Sequence, residues 1–172
     1  MNTCTQHILS TSLLTACLAT TVHADPVQIN SDTLELVPPE AVAQVSEFLE
    51  RFVDSSKPPN EQIALYMDTV DYYDRGKVSK SSILRDMKRY RQQWPSRHYR
   101  VSRIDLIYPD PDSDSVYVRY EVNFTVANPA KAKRISGRGM YGAVIADIDG
   151  TPKISAIQES VLTRKRSSAI AR

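Results

Sequence analysis

The sequence predicts an α+β fold, a curved antiparallel sheet wrapped around N-terminal helices, and three features point to it. Residues 115–126 alternate apolar and polar without a break, the pattern of an antiparallel strand with one buried face. Three further β-rich runs, at residues 98–108, 135–148 and 153–163, flank it with turn residues between them. Helical periodicity is confined to the stretch before residue 95, so the helices gather at one end of a strand meander.

Residues 25–37 read as an extended leader, residues 38–165 as the folded domain and residues 166–172 as a polar tail. Pro38-Pro39 opens the first helix, since proline fits a first turn whose N–H groups have no partner anyway. Val42, Val45, Phe48, Leu49 and Phe52 recur at spacings of three and four and form one apolar stripe. Ser55-Ser56-Lys57-Pro58-Pro59 stops it. Asn60 is the expected cap of a short second helix carrying Ile63, Leu65, Tyr66 and Met67. Residues 69–73, rich in β-branched and aromatic side chains, are read as a strand, and Arg75-Gly76 as a turn.

Ser79 begins the strongest helix, with Ile83, Met87, Tyr90 and Trp94 on its apolar side and Pro95 ending it. The strand after it changes phase midway, and a bulge near Ser102-Arg103 reconciles Tyr99 and Val101 with Ile104, Leu106 and Tyr108. In the next strand Val116, Val118, Tyr120, Val122, Phe124 and Val126 face the core, and Tyr117, Arg119, Glu121, Asn123 and Thr125 face out. Asp149-Gly150 turns the chain into the last strand. A long sheet curved around a helix makes a cone with one open mouth.

The 172 residues carry a net charge of +2, too little for a nucleic-acid binder on bulk charge, and nucleic acid is not an expected partner. The charge is uneven along the chain. Residues 25–76 hold eleven acids and three bases, whereas residues 77–103 hold nine bases and one acid. Lys80, Arg85, Lys88, Arg89 and Arg91 therefore form a candidate surface for an acidic envelope partner, set against partial neutralisation by the acidic first helices.

Residues 1–24 contain no Asp, Glu, Lys or Arg, and Val22-His23-Ala24 has the small-x-small spelling of a signal-peptidase site. Cleavage near Ala24 would send the chain to the periplasm or beyond and leave no transmembrane segment. Leu14-Thr15-Ala16-Cys17 also spells a lipobox, which would instead leave a lipid anchor on Cys17. Both cysteines and two of the three histidines lie in this segment. The processed chain would hold only His98, which excludes thiol chemistry and Cys/His zinc sites. No metal and no cofactor is expected. Asp110-Pro111-Asp112-Ser113-Asp114 has the acidity of a calcium loop but lacks its glycine and reads as a hairpin turn.

Val70-Asp71-Tyr72-Tyr73, then Val78-Ser79-Lys80, then Trp94-Pro95-Ser96-Arg97-His98-Tyr99, in this element order, resemble the nuclear transport factor 2-like superfamily, the cystatin-like cone. The resemblance covers about residues 38–165 and is strongest to a bacterial exported subgroup of that fold. It implies the cone fold and a pocket at its mouth. The superfamily holds enzymes such as ketosteroid isomerase, polyketide cyclases and scytalone dehydratase beside transport factors and dimerisation modules. The isomerase's two acids have no counterpart here: Tyr72 stands where the base would be, and Met140-Tyr141-Gly142-Ala143-Val144 contains no acid.

The favoured functional reading is an exported, non-catalytic binding or protein-interaction module of the cell envelope. Its ligand site would be formed by Tyr66, Asp71, Tyr73, Trp94 and Arg97, occupied by a small apolar molecule or bypassed in favour of an envelope protein. Its outer sheet face, with Tyr117, Arg119 and Glu121, would serve a homodimer or remain solvated. The alternative is an isomerase-, dehydratase- or cyclase-type acid–base enzyme acting on a small apolar ligand, with Asp71 as base and Tyr66 or Tyr73 as acid. A buried carboxylate within reach of a phenol inside an open pocket separates the second reading from the first.

Overall fold

The structure, a computed structural model, describes residues 27–29 and 37–167. The signal segment, the lipobox and the end of the polar tail lie outside the described residues. The elements are β1 (Gln28–Ile29), α1 (Pro39–Val53), α2 (Pro59–Gln62), β2 (Tyr66–Tyr72), β3 (Lys77–Ser79), α3 (Lys80–Gln93), β4 (Ser96–Pro109), β5 (Ser115–Asn128), β6 (Lys133–Ala146) and β7 (Lys153–Ser167). The strands form one sheet in the order β1-β4-β5-β6-β7-β2-β3. The long strands β4 to β7 pair antiparallel in sequence, whereas β2 joins β7 parallel and β1 joins β4 parallel. The predicted α+β class and the curved sheet around N-terminal helices are what the chain adopts.

The core forms where α1 lies in the concavity of the sheet. Val45, Phe48 and Leu49 are fully buried, and they meet Val118, Tyr120, Ile145, Ile154 and Ile157 from the sheet. Val42 and Phe52, the ends of the same stripe, are partly buried against that core. Ser79 caps α3 by accepting a hydrogen bond from the Ser82 N–H, as the sequence predicts. The inward side chains of β5 are those the alternation assigns: Val116, Val118, Tyr120, Val122 and Val126 are buried.

Several expectations are corrected. Pro58 rather than Asn60 precedes α2, which is only four residues long and has no side-chain cap. Tyr66 and Met67 belong to β2 and not to a helix, because a short 3-10 turn over Ile63–Leu65 hands the chain to the sheet early. Tyr73 leaves the strand for a second 3-10 turn, Tyr73–Arg75, which ends at Gly76 with φ +65°, a conformation that favours glycine. In α3 only Ile83 is fully buried; Tyr90 lies at the open rim, 42% exposed.

The β4 bulge is present, with a register shift between Val101 and Arg103. A second shift between Ile104 and Leu106 re-phases the strand again, so Ile107 is buried and Tyr108 is 60% exposed instead of facing the core. On the outer face Tyr117 and Arg119 are exposed, but Glu121 is buried: it accepts a hydrogen bond from Ser102 Oγ at 2.9 Å and pairs with Arg138 at 3.5 Å. Glu121 is thus spent within the sheet and is not open surface. Among the described residues the basic helix pairs with Asp68 and Asp86, not with the acids of α1 or α2. No helix among the described residues is long and apolar enough to cross a membrane.

Candidate functional site

The concave side of the sheet is not completely filled. A cavity of about 410 Å³ opens between α1, α3 and the strands, within the size range of small-molecule sites. Its walls are mainly phenolic, with tyrosines 66, 72, 73, 90, 99, 120 and 141 all reaching it. Four charged groups share the walls: Asp86, Arg97, Glu159 and Arg164.

The sheet register explains how these groups meet. Ile104, Tyr120, Tyr141 and Glu159 are successive partners across β4, β5, β6 and β7, so the last three form one polar rung on the concave face. The Tyr120 and Tyr141 rings stack, with centroids 5.6 Å apart and planes at 21°. The Tyr141 hydroxyl donates to Glu159 Oε1 at 2.8 Å. Gly139 leaves the space for this pair; a Cβ there would sit 3.1 Å from the Tyr141 ring and 3.4 Å from Glu159 Oε1. Among the described residues no cation lies within ion-pair distance of Glu159, and Tyr141 is its one hydrogen-bond donor. Asp86, by contrast, is neutralised by Arg75.

β2 supplies a second phenolic wall through an unusual backbone. Consecutive strand residues point to opposite faces, yet Tyr72 and Tyr73 both line the cavity. Tyr73 achieves this with φ +51°, a left-handed conformation that carries strain in a bulky residue. Gln158 Nε2 donates to the Tyr73 carbonyl at 2.9 Å and holds the turn against β7. The rings of Phe48, Phe52, Tyr66, Tyr72 and Tyr73 then run in contact from the core helix to this wall, with centroid spacings of 4.4 to 6.4 Å.

The phenols are held neutral. Burial raises the pKa of Tyr66 and Tyr73 well above the ordinary phenol value, and neighbouring tyrosines add to the effect. Burial first, then the negative charge of Glu159, raises Tyr120 and Tyr141 in the same direction. Each remains an O–H donor through the physiological range. Tyr141 spends its donor on Glu159, but the Tyr120 hydroxyl is buried with no partner. That hydroxyl is closed off behind the cavity wall, so a ligand oxygen meets this unpaired neutral donor only where the side chains covering it move aside.

The residues predicted as the site separate. Tyr66, Tyr73 and Arg97 line the cavity. Asp71 does not: Val70 beside it is fully buried, so strand alternation turns Asp71 outward, where it is exposed and lies opposite Lys77 of β3. Trp94 is buried where it closes α3 and does not reach the cavity. Sequence reasoning missed Glu159, Tyr120 and Tyr141 as a group. A signal existed, since Glu159 follows Ile157 at strand spacing and so faces inward with it. His98, the one histidine of the described residues, is exposed and away from the cavity.

No family model matches the sequence, and no curated protein matches it. Solved structures do match the fold. A candidate scytalone dehydratase from Novosphingobium aromaticivorans superposes with a TM-score of 0.62 at 13% identity, over 76% of this chain and 89% of that one. A candidate aromatic ring hydroxylase from the same organism reaches 0.66 at 8% identity, over 76% and 96%. The fold is that of the nuclear transport factor 2-like superfamily. A hexachlorocyclohexane dehydrochlorinase, LinA-type3 from Novosphingobium barchaimii, shares the cone with a TM-score of 0.57 at 11% identity, over 76% and 92%. The descriptions of these three cones, as candidate dehydratase, candidate hydroxylase and dehydrochlorinase, correct the expectation of a non-catalytic binding or interaction module.

Proposed function

We propose that the chain is an acid–base enzyme acting on a small, apolar-bodied carbonyl compound, by removing a proton from the carbon next to the carbonyl. The observation that carries this reading is the Tyr120-Tyr141-Glu159 rung, which sets an unpaired buried phenol and a carboxylate without a cationic partner among the described residues on either side of Tyr141. Glu159 is the base: the C–H bond breaks, the proton passes to the carboxylate and the electron pair moves to the carbonyl oxygen as an enolate. The Tyr120 O–H donates to that oxygen, where charge develops. Tyr141 orients Glu159 and leaves its second oxygen free to accept the proton. Return of the proton to a different carbon gives isomerisation, and loss of a neighbouring leaving group gives elimination. Asp71, being outside the cavity, has no part in this scheme.

The test is proton exchange, which needs no knowledge of the final product. Aryl alkyl ketones, charged and uncharged, are incubated with the protein in heavy water and deuterium uptake at the α-carbon is read by mass spectrometry. Uptake above the buffer rate is expected with wild-type protein. The reading fails if no ketone exchanges faster than in buffer.

Tyr120→Phe separates the catalytic hydroxyl from the structural ring. Deleting a buried, unpaired hydroxyl relieves a desolvation penalty of about 1 kcal/mol, so the variant melts higher than wild type. Exchange falls about 100-fold in the same variant, since one oxyanion donor is lost. A Tyr120→Phe protein that melts lower and exchanges normally contradicts both halves.

Export belongs to the same reading: cleavage near Ala24 would deliver a chain without cysteine, whose acid–base site uses only Tyr and Glu. An intact mass beginning at Asp25 checks it, and a mass beginning at an acylated Cys17 replaces it with lipid anchoring.

A further inference from the structure

We infer that the ligand of this cavity carries a carboxylate and that Arg97 seats it. The inference rests on the acid–base reading of the same cavity and adds the class of substrate.

Arg97 lines the cavity from the start of β4 as a half-buried guanidinium with no acid paired to it among the described residues. One nitrogen, Nη2, donates to the Ser55 carbonyl at 3.2 Å, and Ser55 Oγ donates back to the Arg97 carbonyl at 2.9 Å. This double tie to the segment after α1 fixes the Arg97 backbone and one corner of the guanidinium and leaves its other N–H groups unused among the described residues. The charged neighbour that reaches Arg97 is Arg91, a like charge, together with the phenols of Tyr99 and Tyr90. Burial and Arg91 both lower its pKa, which means that the cation is held where it is poorly compensated. Arg91 itself is tied to the Lys57 carbonyl at 2.9 Å, so it cannot swing away. A planar carboxylate matches the guanidinium fork and would supply the missing charge.

The position of Arg97 along the strands sets the ligand's shape. Tyr99, Phe124, Gly137 and Arg164 are partners across the sheet, and Arg97 pairs with Val126 one inward position further out. Glu159 and Tyr120 lie on the rung that contains Ile104. Tyr120 and Phe124 are thus separated by roughly 13 Å along β5, with Val122 between them on the cavity wall. The site has its acid–base pair at one end, its guanidinium at the other, and apolar and phenolic walls in between. A ketone joined through an aryl ring to a short carboxylate-bearing chain has that order of groups. Arg164, exposed on the same wall, adds a second positive charge at the anionic end.

The para-acetylphenyl derivative of propanoate and its uncharged methyl ester, nearly equal in shape, test this by titration calorimetry. Wild-type protein is expected to bind the acid at least tenfold more tightly than the ester. Arg97→Gln should weaken the acid to the level of the ester and leave the ester unchanged. Arg97→Lys, which keeps the charge but not the fork, should fall between them. Arg164→Gln, at a side chain with no hydrogen bond or ion pair among the described residues, should cost the acid two- to threefold. Thermal melts show whether each variant is folded. Equal affinity for acid and ester, or no binding of either at millimolar concentration, overturns the inference. Ketone exchange that proceeds with no preference for the acid sinks the carboxylate site alone. An Arg97-dependent preference without exchange upholds the anion site and sinks the acid–base reading.

Discussion

Glu159→Gln is expected to lower α-proton exchange by about 1,000-fold while leaving the fold intact. The amide keeps an oxygen that accepts the 2.8 Å hydrogen bond from Tyr141, so the pair on the concave face survives. It cannot take up a proton, so the base is lost and nothing else. The side chain is at the solvent-exposed end of the cavity wall, which makes a large stability change unexpected. Glu159→Asp retains a carboxylate but withdraws it by one methylene from both Tyr141 and the ligand, and should keep a few per cent of the activity. Single-turnover exchange measured beside circular dichroism separates loss of chemistry from loss of structure. A folded Glu159→Gln protein with more than a tenth of wild-type exchange would mean that another group is the base, and Asp86, released from Arg75, would be the next to examine.

The second large effect is alkaline unfolding. Tyr66, Tyr73 and Tyr120 are held neutral in the fold by burial, with pKa values above the ordinary value of 10.0. A phenol whose folded pKa is raised contributes fully below the unfolded value and loses that contribution as pH climbs above it. The loss therefore begins near pH 10 and not in the neutral range. Each such group removes about 1.4 kcal/mol per pH unit, and these three together about 4 kcal/mol per unit. Native stability of small domains is on the order of 5–15 kcal/mol, so a fold in the lower half of that range should be lost within about two units above pH 10. Tyrosinate absorbance and far-ultraviolet circular dichroism, followed together, should change in one cooperative step. Stepwise ionisation of all the tyrosines near pH 10 with the dichroism unchanged would show that the cavity walls are wet and mobile.

Both predictions fall on residues whose inward aim was legible only in part. Tyr120 was legible, because β5 alternates without interruption and places it among buried valines. Its role was not, because an inward tyrosine reads as core until the missing partner of its hydroxyl is seen. Glu159 shares its parity with Ile157, but a register shift between Val144 and Ile145 breaks the pattern of β7 upstream, and a carboxylate between Gln158 and Ser160 reads as solvated. Asp71 was misplaced for the opposite reason. It stands in a promising spelling, Val70-Asp71-Tyr72-Tyr73, yet burial of Val70 forces it outward. The left-handed residue at Tyr73 then rotates a phenol that alternation would not have sent inward into the cavity.

Sequence alone determined what depends on neighbours in the chain. The stripe of α1, the Ser79 cap, the alternation of β5 and the β4 bulge follow from side-chain periodicity and local hydrogen bonding, which act over a few residues. The order of these elements was enough for the α+β cone. Only the tertiary structure decided which polar groups share a rung, which carboxylate lacks a cation and which hydroxyl lacks a partner. Those properties belong to strands β4, β5, β6 and β7 side by side. One register shift in any of them moves a side chain to the other face, and no local pattern fixes the sum of the shifts.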